Sequence, residues 1–145
     1  MYHVNASNLP GNDISRTFEG GKHGPCSVSF FLVHNRPGEG PGMHHHAYDE
    51  TFVILEGHVA VHVGDETLEG GPGDILIGPA GTPHGFTNSG PGRARLVCIH
   101  AAPAMKTEWT EPPAPSYVDG VVWKTGQQTS VTRPDSSSVS SSVTR

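Results

Sequence analysis

Cysteine is scarce in this sequence, and long apolar runs and clusters of basic residues are missing altogether. Two cysteines, Cys26 and Cys98, among 145 residues cannot build a disulfide framework, and they stand too far apart in sequence for a closely spaced thiolate metal site. Both are expected to be buried, reduced thiols. No stretch approaches the roughly 20 apolar residues that a membrane-spanning helix needs. The N-terminus, MYHVNASNLPGND, carries neither the basic nor the apolar region of a secretory signal. The expectation is a soluble, cytoplasmic protein, for which the sequon Asn5-Ala6-Ser7 carries no weight. The net charge of −5 is modest, and no Lys/Arg cluster is present to neutralise a row of phosphates. Neither nucleic acid nor a membrane is an expected partner, and the lack of a helix-turn-helix segment argues against a ligand-sensing transcription factor.

A sustained helical period is also missing between residues 28 and 101. In its place are short β-rich runs punctuated by glycine and proline, which number 19 and 13. Strands are expected at residues 27–34, 42–46, 50–56, 58–63, 66–69, 75–77, 84–87 and 95–100. Turns fall at Glu56-Gly57, Val63-Gly64-Asp65-Glu66 and Gly70-Gly71-Pro72-Gly73. Val59, Val61 and Val63 alternate with His58, Ala60 and His62, so one face of that strand is apolar and the other mixed. Phe30, Leu32, Phe52, Ile54, Ile75, Ile77, Phe86, Leu96 and Val97 complete the expected core. The fold class is all-β, with a double-sheet jelly-roll barrel as the architecture.

Four segments are expected: an N-terminal arm over 1–26, the barrel over 27–104, a Pro/Trp-containing extension over 105–124 and a Ser/Thr-rich, disordered tail over 125–145. The extension carries too many prolines for a long helix and is expected against the outside of the barrel or a partner subunit, with at most a helical turn near residues 106–109.

The histidines are the chemistry-bearing feature. His44, His46 and Glu50 lie in the pattern G-x5-H-x-H-x3-E-x6-G, running from Gly38 to Gly57. His84 lies in G-x5-P-x-G-x2-H-x3-N, formed by Gly73, Pro79, Gly81, His84 and Asn88. On a strand, alternate side chains share a face, so His44 and His46 converge while His45 turns away. Glu50 keeps the same parity, and an imidazole from a separate hairpin can close the site if the sheet curls. Three imidazoles and a carboxylate suit one divalent first-row transition metal ion.

Both patterns, in this order, resemble the two signature motifs of the cupin superfamily, and every defining position is matched across residues 28–101. The resemblance implies a small single-domain metal-binding protein with His44, His46, Glu50 and His84 as ligands of one ion per chain, Fe, Mn, Ni, Co or Zn. It also implies an acid/base role for Glu50 as the catalytic carboxylate, and pairing as a homodimer. Gly78, Pro79 and Gly81 are expected to shape the loop that delivers His84. Asp49 is expected to point away, His58 and His62 to lie on the surface, and Asn88 to bond its own backbone in a turn. Tyr48 shares the ligands' parity and is a candidate pocket wall. His34 and His100 are read as partly buried structural histidines, with a hydrogen-bonding role at the cavity as the alternative.

Four protein donors leave coordination positions for a small-molecule substrate. The leading expectation is a dioxygenase-type oxidoreductase acting on a small enol, diol or aromatic compound. The alternatives are a zinc-dependent polyketide cyclase or isomerase, and a non-catalytic module that binds a small ligand.

Overall fold

The computed structural model describes residues 1–110 together with the strand backbones Val121–Lys124 and Gln127–Ser130. Ten strands lie within residues 1–110: β1 (Ser15–Phe18), β2 (Ser29–Asn35), β3 (His44–His45), β4 (Glu50–Glu56), β5 (Val59–Val63), β6 (Glu66–Gly70), β7 (Ile75–Gly78), β8 (His84–Asn88), β9 (Ala94–His100) and β10 (Glu108–Trp109). They form two five-stranded sheets, ordered β1-β2-β9-β4-β7 and β10-β3-β8-β5-β6, and each pairing is antiparallel. This is the jelly-roll architecture, and the eight strands expected from the sequence are β2 to β9.

The core lies between the sheets. Phe52, Ile54, Val59, Val61, Phe86, Leu96 and Cys98 are buried there with Val33 and Ala94. Burying each of the larger side chains contributes about 1.5–3 kcal/mol. The alternation in β5 places Val59 and Val61 inward, as their spacing requires.

Several expected core residues lie elsewhere. In β2 the inward positions go to Ser29, Phe31, Val33 and Asn35, which turns Phe30, Leu32 and His34 outward. Ile75 and Ile77 are 64% and 58% exposed, because β7 is an edge strand whose inward residues are Leu76 and Gly78. Val97 also faces outward, alternating with buried Leu96 and Cys98. Cys98 is buried, but Cys26, in the loop before β2, is only half-buried; both thiols are free.

The two outer faces differ in character. Across the first sheet the register aligns Phe18, Phe30, Ile99, Thr51 and Ile77 in one row and Arg16, Leu32, Val97, Val53 and Ile75 in the next. The second sheet turns out Glu108, His45, Thr87, Ala60, His62, Thr67 and Glu69. Beside the first face, Tyr2, Val4, Leu9 and Phe18 border a cleft of about 360 Å3 with Phe30 and Leu32.

The ends of the chain contribute more than an arm and a cover. Residues 15–18 of the expected arm form an edge strand of the first sheet, and residues 108–109 of the extension form an edge strand of the second. That second strand replaces the helical turn expected near residues 106–109. Most of the expected disordered tail, 125–145, lies outside the described residues; Gln127–Ser130 (β12) pairs antiparallel with Val121–Lys124 (β11).

Candidate metal centre

Two rows of residues face each other at one end of the barrel. On the second sheet the register aligns Trp109, His44, His84 and Val63. On the first it aligns Ser29, His100, Glu50 and Gly78. Between β3 and β4 the chain crosses from one sheet to the other, and His46 stands at that corner. His44, His46, Glu50 and His84 are all buried, and their donor atoms lie within 4.8 Å of one another.

The three rings are oriented by the backbone. Nδ1 of His44 lies 2.7 Å from the Gly42 carbonyl, Nδ1 of His46 2.6 Å from that of Lys106, and Nδ1 of His84 2.8 Å from that of Thr82. A carbonyl only accepts, so each Nδ1 carries the proton and each Nε2 presents its lone pair. These lone pairs converge on Glu50 Oε2 at 3.5, 3.1 and 2.9 Å for His44, His46 and His84. Four acceptors so placed repel one another unless a cation lies among them. Around an ion with bonds of about 2.1 Å, adjacent donors stand about 3.0 Å apart in an octahedron and about 3.4 Å apart in a tetrahedron. The three distances to Glu50 Oε2 fall close to those values, and the donor set fits a divalent metal ion.

Burial opposes the charge on Glu50, and because the three facing Nε2 atoms carry no proton they cannot offset that cost; a cation among the donors would. The second oxygen of Glu50, Oε1, turns to His100, whose Nε2 is 3.4 Å away. Burial in this setting pushes His100 down to about 4, against the pull of Glu50 in the other direction.

Aromatic rings wall the cluster. Tyr48 stacks on His46 with centroids 5.0 Å apart, Trp109 lies 5.1 Å from His44, and Phe31 meets His100 edge-on at 5.4 Å. The Tyr48 hydroxyl accepts from the Lys106 amide at 2.9 Å, which ties the C-terminal segment to the site. The loop that delivers His84 is pinned twice: the Gly81 amide donates to the His46 carbonyl at 2.7 Å, and the Ala80 amide donates to Asp49 Oδ1 at 2.8 Å. Gly81 has φ of +72°, a conformation that side chains disfavour.

The structure therefore brings together all four residues singled out as ligands, with Tyr48 as a wall. His45 is only half-buried, beside Glu108, and His34, His58 and His62 stay outside the barrel. Asp49 points away from the cluster but braces its loop. Asn88 accepts from the Gly90 amide, the local turn bond expected, and also donates to the Asn35 and Gly92 carbonyls. Sequence reasoning missed Trp109 and Lys106, whose places depend on a strand pairing between distant parts of the chain. His100 is a buried neighbour of Glu50, so its alternative reading at the cavity is the one its position favours.

A family model described as the cupin domain matches residues 31–100. This is a cupin-domain protein. Solved structures share the cupin fold. The polyketide cyclase RemF from Streptomyces resistomycificus superposes with a TM-score of 0.62 at 19% identity, over 77% of this chain and 86% of that one. The oxalate decarboxylase of Lactobacillus farciminis, in complex with formate, gives 0.65 at 17% identity over 72% of this chain and 34% of its own. The protein TT1209 of Thermus thermophilus gives 0.56 at 27% identity over 70% of this cupin and 98% of that chain. No curated protein matches the sequence significantly. Among the described residues, no helix is long and apolar enough to cross a membrane.

Proposed function

We propose that this cupin is a mononuclear metalloenzyme of the dioxygenase type, an oxidoreductase acting on a small enol, diol or aromatic substrate. One divalent ion, Fe, Mn, Ni, Co or Zn, would be held by His44, His46, Glu50 and His84. The observation that carries the reading is the set of three imidazoles, each fixed by a backbone carbonyl so that its Nε2 lone pair meets Glu50 Oε2. When bound, a redox-active ion supplies Lewis acidity and a path for electrons, and zinc supplies Lewis acidity alone.

The protein's own residues shape the rest. Tyr48, Trp109 and Phe31 present flat apolar surfaces around the cluster, which favours a planar, conjugated substrate over a sugar. Glu50, a carboxylate when it holds the ion, can take a substrate hydroxyl proton at Oε1, the oxygen turned from the three ligand rings. The external cleft near Tyr2 and Phe18 lies on the other side of the first sheet and is not the substrate site in this reading.

A zinc-dependent polyketide cyclase or isomerase is the second reading. It is supported by the likeness to RemF, which extends over most of that protein's length. In either case the enzyme would work as a homodimer, a reading supported by the apolar outer face of the first sheet, and in the cytoplasm, which two free thiols suit.

The test is elemental analysis of untagged protein prepared without added metal. Iron, manganese, nickel or cobalt near one per chain, followed by oxygen uptake with enol or catechol substrates, is the expected result. Zinc without oxygen uptake would favour the cyclase or isomerase. No metal, even after reconstitution, would overturn both and leave a ligand-binding barrel.

A further inference from the structure

His100 is buried, yet neither of its ring nitrogens has a hydrogen-bond partner among the described residues. Leaving a buried polar group unpaired costs about 1–3 kcal/mol. The three ligand histidines avoid that cost by donating from Nδ1 to carbonyls. His100 has no such anchor, and the rings of Phe31, His46 and Tyr48, at 5.4, 4.7 and 5.7 Å, keep it from turning toward water.

The charged group it faces is Glu50. The two residues are direct partners in the β4–β9 ladder, so their side chains leave the sheet side by side. The carboxylate divides its oxygens: Oε2 meets the three ligand imidazoles and Oε1 stands 3.4 Å from His100 Nε2. That is slightly beyond the usual N–H···O range of about 2.7–3.2 Å. The last torsion of a glutamate is soft, so a small rotation about its terminal bond closes the gap.

We infer that His100 is a positioning residue for Glu50: its Nε2–H donates to Oε1 and limits the carboxylate to attachment through Oε2 alone. A carboxylate not held this way can turn both oxygens to the ion and occupy a position that substrate needs. The inference rests on the metal-centre reading and deepens it.

Cobalt titration of the chelated full-length chain tests it, followed by visible absorption. The wild-type protein is expected to take up one Co(II) per chain. His100→Phe should weaken cobalt binding about 10–100-fold, the usual effect of losing a partner behind a metal ligand. At saturating cobalt it should also show altered visible bands as the carboxylate changes its mode of attachment. His100→Gln, which keeps an N–H donor, should return the wild-type spectrum. If His100→Phe does not fold, His100→Leu replaces it.

A purely structural histidine would shift the melting temperature and leave the spectrum of the saturated protein unchanged. A wild-type spectrum and affinity in the Phe or Leu variant would overturn the inference. So would a Gln variant that fails to restore the spectrum. Wild-type protein that binds no cobalt would instead overturn the metal-centre reading, and this inference with it.

Discussion

Each imidazole of the cluster has two tasks, and the cost of losing one depends on both. Nε2 of His46 and His84 points at the shared centre, while Nδ1 holds Lys106 or Thr82 through the backbone. His46→Ala and His84→Ala should each lose most of the bound metal, and elemental analysis against protein concentration reads the loss. The domain should stay folded, because the apolar core of Phe52, Ile54, Val61 and Leu96 is built from other residues; near-UV circular dichroism checks this. His45→Ala should keep its metal, since that ring lies 3.8 Å from Glu108 on the outer side of β3. An empty His45→Ala site beside a full His46→Ala site would sink the assignment of faces on that strand.

At the scale of elements, the site depends on how closely the sheets approach. Gly78 sits opposite His84, and a Cβ added there would lie 2.7 Å from Nδ1 and 2.8 Å from Cγ of that ring. Gly78→Ala should therefore displace a ligand without touching it chemically. The expected result is a metal affinity at least about tenfold weaker, measured by competition with a chromogenic chelator; wild-type affinity would show that the ring moves freely. A second junction is Glu19, which pairs with Lys22 and accepts from the Met105 amide at 3.3 Å. Its hydrogen bond to Lys22 outweighs the effect of burial and lowers its carboxyl. A lowered carboxylate favours the folded state above its unfolded value near 4.5, and that contribution fades as pH falls through the folded value. Urea melts should show Glu19→Gln less stable than wild type by under about 1 kcal/mol at neutral pH, with the gap closing below pH 4.5; a pH-independent gap would assign the effect to packing. These junctions mark the limit of what the sequence discloses. The convergence of His44 and His46 was legible because strand alternation is local. The placements of Trp109 and Lys106 were not, because they depend on registers between distant strands, and that of His100 was legible only as one of two readings. Ile75 and Ile77 were misread as core because hydrophobicity cannot tell the inner from the outer face of an edge strand.

For the molecule as a whole, the unequal outer faces are the feature that calls for a partner. A sandwich needs one apolar face per sheet, yet the first sheet has two: its inner face packs on the core, and its outer face sets Phe30, Leu32, Val97, Ile99, Val53, Ile75 and Ile77 side by side. The second sheet's outer face is polar, so general hydrophobicity does not account for the patch. Five strands about 4.8 Å apart and roughly 20 Å of strand length give a projected footprint of about 500 Å2. Pleating and the adjoining arm raise this toward the ~800 Å2 per partner of a stable interface. A second copy offers the same flat apolar surface and can meet it about a twofold axis. The chain should therefore sediment as a dimer at micromolar concentration, and Ile77→Glu should shift it to monomer. Thr87→Glu, on the polar face, should leave the dimer intact. Because Ile77 lies on the far side of the sheet from Glu50, the monomeric variant should keep its metal stoichiometry. A wild-type monomer, or a dimer indifferent to Ile77→Glu, would show that self-association does not cover this face.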